Sequence, residues 1–212
     1  MNSAALQQQY PPIIANAGLL LLEGLISSDY FAALQQECMH SHAVAVEQQT
    51  NKQTSAGYRE GSPARWLLTA EGGPVQTSLY HDPVLLQHLS AYCGRPVAPT
   101  GQTGSYSYYD APGHFLGLHR DITGCDTALI TCLYRDKWAT ESGSLRVYYK
   151  KFGSKLDEVD QQSSNCWDID MQTGQSILLL GGWIPHEVLP SAASHKRYIS
   201  VLCFAFASGA DA

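Results

Sequence analysis

The sequence predicts a mainly β domain, a sandwich or jelly roll, carrying helices contributed by its N-terminal half. Three observations predict it. From about Gly104 the chain breaks into eight short strand-like runs separated by Gly, Asp, Ser and Pro. Before that point apolar residues recur at helical spacing between recognisable caps. The 212 residues, 44% hydrophobic and 15% charged, supply one substantial core and too little chain for two ordinary domains.

Taken in order, residues 1–17 are polar and contain Pro11-Pro12, which predicts a loosely held arm ahead of a single domain over residues 18–208. Gly18–Ile26 is a short apolar run like a buried strand. Ser27-Ser28 then offers capping hydroxyls to a helix with Phe31, Leu34 and Cys38 on one face. Residues 41–80 are mixed, with an edge strand around Arg65–Thr69. A second helix is marked by Asp82 as cap, Pro83 in the first turn, Leu85, Leu86 and Leu89 inward, and Gly94 as terminator. This N-terminal part ends near residue 100. The strands of the β core, residues 101–208, are Gly104–Tyr109, Phe115–His119, Thr127–Tyr134, Ser144–Tyr149, Trp167–Asp170, Ser176–Leu180, His186–Leu189 and Arg197–Phe206.

Charge and cysteine usage narrow the function. Thirteen Lys+Arg against nineteen Asp+Glu give a net charge of -6 with no basic run, which excludes the footprint of a nucleic-acid binder. The six cysteines form no CxxC pair and no metal-finger spacing, and are read as reduced thiols. The apolar run Gly18–Leu22 is interrupted by Glu23, follows no basic segment and falls far short of a bilayer span of about 20 residues. A soluble, cytoplasmic protein without membrane partners is expected.

The chemistry is carried by a few residues. His119-Arg120-Asp121 closes a strand-like run, and positions i and i+2 of a strand face one side, so an imidazole and a carboxylate can be aimed at one point. Pro185-His186-Glu187-Val188 opens another strand after a Gly181-Gly182 turn. Two histidines and a carboxylate are the facial set that holds non-haem Fe(II) with three positions open. Arg197 opens the last apolar strand, Tyr198-Ile199-Ser200-Val201-Leu202, with no acidic residue flanking it. A buried arginine there calls for an anionic partner, which a dicarboxylate would supply through a bidentate pair.

These residues, with Tyr109-Asp110-Ala111-Pro112-Gly113, Thr131-Cys132-Leu133-Tyr134 and Gly143-Ser144-Leu145-Arg146, resemble the Fe(II)- and 2-oxoglutarate-dependent dioxygenases, specifically the prolyl-hydroxylase-like branch. The resemblance runs in order from Leu19 to Phe206 and implies a double-stranded β-helix, that is, a jelly roll. It implies His119, Asp121 and His186 as iron ligands and Arg197 as the partner of the distal carboxylate of 2-oxoglutarate, helped by the Tyr134 hydroxyl. Strand parity agrees, since Ala128, Ile130, Cys132 and Tyr134 would share one face. Tyr109 matches a tyrosine near the metal end of the cosubstrate, and Ser200 a further cosubstrate contact. Arg59 and Trp66 resemble residues bordering the substrate entrance, and Trp183, three residues before His186, is read as either a wall of the pocket or a hydrophobic plug at the Gly-Gly-Trp turn.

The resemblance further implies Fe(II), 2-oxoglutarate and O2 as cofactor and cosubstrates, and oxidation of a C–H bond with release of succinate and CO2. The carboxylate of Asp121 favours hydroxylation or a related oxidation over halogenation. Leu116, Cys203 and a slightly longer His186-to-Arg197 connection depart from the prolyl hydroxylases and reshape the pocket. The substrate expected first is therefore a small amino-acid-like or natural-product intermediate. A protein or peptide prolyl hydroxylase is the alternative, and a non-catalytic cupin-like metal- or ligand-binding sensor is the alternative of another class.

Overall fold

Side chains alternate across short antiparallel strands, so a sheet that curls has one face toward an enclosed space and one toward its cover. The computed structural model describes residues 10–51, 59–136, 143–191 and 195–207 of such a sheet and its helices. The elements are α1 (Pro12–Ala15), β1 (Leu19–Glu23), α2 (Ser28–His42), β2 (Val46–Thr50), β3 (Arg65–Glu71), α3 (Pro74–Tyr80), α4 (Pro83–Cys93), β4 (Val97–Pro99), β5 (Ser105–Tyr109), β6 (Phe115–His119), β7 (Thr127–Arg135), β8 (Leu145–Val147), β9 (Trp167–Ile169), β10 (Gln175–Leu179), β11 (His186–Val188) and β12 (Arg197–Phe206). All eight strands expected after Gly104 are present.

The strands follow the order β1-β10-β7-β12-β5-β3-β6-β11-β8-β9, with β2 added on β3 and β4 on β12. The fold is a jelly roll, and β3 is where it turns. Leu68–Glu71 pair with β5, whereas Arg65 and Trp66 pair with β6, so one strand serves both layers. The edge strand expected at Arg65–Thr69 is thus interior, because β2, absent from the sequence reading, covers it from the other side. Its Val46-Glu47-Gln48-Gln49-Thr50 is too polar to announce itself as a strand.

Along β12 the alternation is explicit. Arg197, Ile199, Val201 and Cys203 line the cavity. Tyr198, Ser200 and Phe204 face the cover, against His42, Gln76 and Tyr80 respectively. The helical cover is fastened by one carboxylate. Glu37 of α2 accepts hydrogen bonds from the Tyr106 hydroxyl of β5 at 2.6 Å and from the backbone N–H groups of Val75 (2.6 Å) and Gln76 (3.0 Å) in α3. α4 begins and ends as its sequence predicts. The Asp82 Oδ1 accepts from Leu85 N at 2.8 Å, and Gly94 closes the helix at φ +69°, a left-handed conformation open to glycine at little cost.

Two features differ from the sequence expectation. Within the segment expected as a loose arm, Pro12 occupies the first turn of α1, where its missing N–H costs nothing, and Ile13 is buried against the core. Cys125 and Cys203, read as reduced thiols, form a disulfide across 78 residues. Their pairing follows from the register that sets Cys203 opposite Ala128, a contact that cysteine spacing does not reveal. Cys38, Cys93, Cys132 and Cys166 are free thiols. Among the described residues, no helix is long and apolar enough to cross a membrane.

A crosslink closing so long a loop restricts the unfolded chain, and its loss typically costs about 2–4 kcal/mol. Cys203→Ser is therefore expected to lower unfolding free energy by that amount in urea titrations, with added reductant destabilising the parent protein but not the variant. Equal stability of the two in the absence of reductant would contradict the crosslink.

Candidate metal centre and its cavity

His119 ends β6 and His186 begins β11, and the two are direct partners across the antiparallel pair. Their ring centroids lie 4.2 Å apart. Asp121 follows two residues after His119, held by its backbone N–H, which donates to Gly181 O at 2.9 Å. Its Oδ1 stands 3.8 Å from His119 Nε2 and 3.6 Å from His186 Nε2, and the ligand atoms of the three residues lie within 4.8 Å of one another.

The second nitrogen of each ring decides what the first can do. His119 Nδ1 lies 2.8 Å from Gly117 O and His186 Nδ1 lies 2.9 Å from Ile184 O. A carbonyl only accepts, so each Nδ1 carries a proton and each Nε2, once deprotonated, presents a lone pair inward, the arrangement of a metal-binding imidazole; Asp121 raises the pKa of His186, so there a metal would displace the Nε2 proton. Burial, reinforced by the charge of His186, pushes the pKa of His119 down to about 3, which keeps it neutral. For Asp121, burial opposes ionisation, but the hydrogen bond and charge of His186 outweigh it and hold the carboxyl below its usual range.

These groups open on a cavity of about 210 Å³. Arg197 lies at the closed end with Tyr109, Leu145 and Met171, all buried. Its guanidinium sits 4.8 Å from the Tyr109 ring, and its buried Nε has no hydrogen-bond partner. Among the described residues no carboxylate pairs with it. The nearby Asp170 is engaged by Arg135 instead. Burial holds the Arg197 pKa below its usual value, the mark of a cation lacking a counter-charge. At the open end stand Gln102, Thr103 and Ser105, with Ile122 and Cys203.

Of the residues singled out by sequence, the fold brings His119, Asp121, His186, Tyr109 and Arg197 into this one cavity. Tyr134 is placed elsewhere. Against β12, Tyr198 pairs with Tyr134 but Ile199 pairs with Cys132, so Leu133 is an extra residue and the parity of β7 reverses there. Tyr134 consequently faces outward, 38% exposed, with its hydroxyl donating to Asp136 Oδ1 at 2.8 Å. Ser200 also faces the cover, where its hydroxyl accepts from Gln76 Nε2 at 2.7 Å.

The three expected substrate contacts do not line the cavity. Arg59 donates to Cys125 O (3.2 Å) and Asp126 Oδ1 (3.3 Å) and lies 5.6 Å from the Trp183 ring. Trp183 stacks on Phe152. Trp66 donates through Nε1 to Glu47 Oε1 at 2.7 Å. The sequence reading missed Ser105 and Ser107, which line the cavity. The signal was available, because an inward Tyr109 carries Ser107 and Ser105 with it at period two.

No family model and no curated protein matches the sequence. Solved structures share the fold over nearly the whole chain. The non-heme alpha ketoglutarate dependent epimerase SnoN from nogalamycin biosynthesis superposes with a TM-score of 0.70 at 11% identity, covering 98% of this chain and 83% of that one. A Pseudomonas putida prolyl-4-hydroxylase gives 0.55 at 17% identity over 98% of this chain and 100% of its own. HygX from Streptomyces hygroscopicus, solved with nickel and 2-oxoglutarate bound, gives 0.60 at 13% identity over 89% and 82%. At these identities the likeness is one of fold.

Gly181 tests the geometry of the cluster. A Cβ there would lie 1.9 Å from Asp121 Oδ2 and 3.2 Å from His186 Cε1, so the carboxylate must swing away while the backbone stays. Gly181→Ala is expected to fold normally but to bind Mn2+ about 10–100-fold more weakly, the usual penalty for disturbing a ligand's support, as read by calorimetry.

Proposed function

We propose that the protein is an Fe(II)- and 2-oxoglutarate-dependent oxygenase, a single catalytic domain that hydroxylates or otherwise oxidises a C–H bond of a small molecule. The observation that carries this reading is the pairing of two features in one cavity. One is a facial set of two imidazoles and a carboxylate, and the other is a buried guanidinium that no carboxylate among the described residues meets. His119, Asp121 and His186 would hold Fe(II) and leave three positions open. When bound, the iron supplies oxidising chemistry with O2 and 2-oxoglutarate, which leaves as succinate and CO2.

The chain's own residues account for the remaining requirements. The Nδ1–H bonds to Gly117 O and Ile184 O fix both imidazoles without help from the metal. One carboxylate and two neutral rings leave a divalent ion with a net positive charge, suited to chelation by an anionic keto acid. Arg197 would take the distal carboxylate. From Arg197 to Cys203, β12 advances six residues, roughly 20 Å at about 3.3 Å each. The arginine side chain, a five-carbon diacid with C–C bonds of about 1.5 Å and a hydrogen bond of about 2.8 Å fit within that span. Ile130, Ile199 and Met171 line the path with hydrocarbon, which excludes water and strengthens the ion pair.

The substrate would approach from the open end, over Gln102, Thr103 and Ser105, none of which is charged. That rim favours an uncharged or weakly polar natural-product intermediate over an amino-acid zwitterion or a peptide. Solved structures of the same fold include an epimerase and a prolyl-4-hydroxylase, so the outcome at the carbon is to be read from products.

His119→Ala and His186→Ala are each expected to abolish Fe(II) binding, and iron stoichiometry retained in either would overturn the proposal. Arg197→Ala is expected to keep iron and weaken 2-oxoglutarate by about 2–5 kcal/mol, as titrated anaerobically. Succinate release on offering candidate metabolites against Pro-containing peptides distinguishes the small-molecule reading from the peptidyl one.

A further inference from the structure

Asp121 has two faces. Its Oδ1 looks toward the two imidazoles, whereas Oδ2 stands 3.7 Å from Cys125 Sγ. Cys125 is joined to Cys203, and ligand atoms of Asp121, Cys125 and Cys203 lie within 4.8 Å of one another. We propose that reduction of the Cys125–Cys203 bond opens a second metal site, two thiolates and Asp121 Oδ2, that takes Zn2+ or Co2+ and shares its carboxylate with the His119–Asp121–His186 set.

The bond is reachable, because Cys203 is half-buried on the cavity wall near the open end, while Cys125 is buried behind it. Opening it takes two electrons and two protons from a dithiol, which departs as its own disulfide. Each cysteine then gives its remaining proton to solvent as the metal–sulfur bond forms. As a disulfide the sulfurs are poor ligands, so oxidised protein offers a divalent ion only the imidazole–carboxylate set. Once reduced, soft thiolates favour Zn2+ over Fe2+ and Mn2+, and the second metal pulls on the carboxylate that the first requires. Arg59, which donates to Cys125 O and Asp126 Oδ1, keeps the Cys125 turn in place whether or not the sulfurs are joined.

This inference goes beyond the oxygenase reading, and the test separates them. Full-length protein is titrated with Co2+ before and after a phosphine reductant, which gives two electrons to the disulfide and leaves as its oxide, water supplying the oxygen and the two thiol protons. The expected result for the parent chain is a rise of two free thiols, one further equivalent of Co2+ bound, and thiolate-to-cobalt absorption in the near ultraviolet that is missing from reduced Cys125→Ser and Cys203→Ser. The free, buried Cys132 serves as control, and Cys132→Ser should retain the signal. Unchanged cobalt stoichiometry after reduction, absorption that survives both serine variants, or a full complement of free thiols before reductant overturns the proposal. Mn2+ binding by oxidised protein reports on the imidazole–carboxylate set alone, so its failure would count against the oxygenase and not against the thiolate site.

Discussion

The antiparallel pairing of β6 with β11 is the constraint on which the rest depends. It sets the last residue of one strand opposite the first of the other, and so brings together two imidazoles that are 67 residues apart in the chain. Backbone register, set by apolar neighbours such as Leu116 and Val188, decides the position of a polar cluster that would not assemble by its own affinity. A slip of β11 by one residue would turn His186 away from His119 and bring Glu187 inward. At present Glu187 points away, with its carboxylate accepting from the Tyr148 hydroxyl and Gln161 Nε2.

Electrostatics at the two ends of the cavity are complementary and incomplete. Near the open end a carboxylate sits between two imidazoles, His119 kept neutral by burial and His186 raised in pKa because Asp121 outweighs its burial. At the closed end a guanidinium is buried over a tyrosine ring, with no carboxylate among the described residues paired to it. An uncompensated buried cation costs several kcal/mol of stability. Such an arrangement persists where a ligand completes it, and a dicarboxylate that also reaches the metal would complete both ends at once.

Much of this was legible in the sequence, and the exceptions have physical causes. The eight C-terminal strands and the Asp82–Gly94 helix were readable because apolar runs, caps and turn residues are local signals. The His119, Asp121, His186 and Arg197 set was readable through the order of several motifs that together resemble a family, strand parity adding only that His119 and Asp121 can share a face. Tyr134 was misplaced by parity itself, since the extra Leu133 reverses it and a bulge depends on the partner strand. Ser200 sits on the outward parity of β12, and its resemblance to a family position carried no information about Gln76. The Cys125–Cys203 bond and the central position of β3 depend on contacts far apart in the chain, which no window of sequence contains.

The fastening of the helical cover at Glu37 extends the cavity's influence outward. β5 carries Ser105, Ser107 and Tyr109 on the cavity and Tyr106 on the other face, and Tyr106 is tied to the carboxylate that also holds the start of α3. A helix on the exterior is thereby geared to the inner wall through a single strand's thickness. Drift in the residues packing α2 would be felt as a change in the shape offered to substrate, so the outer shell shares the selective pressure usually ascribed to a pocket.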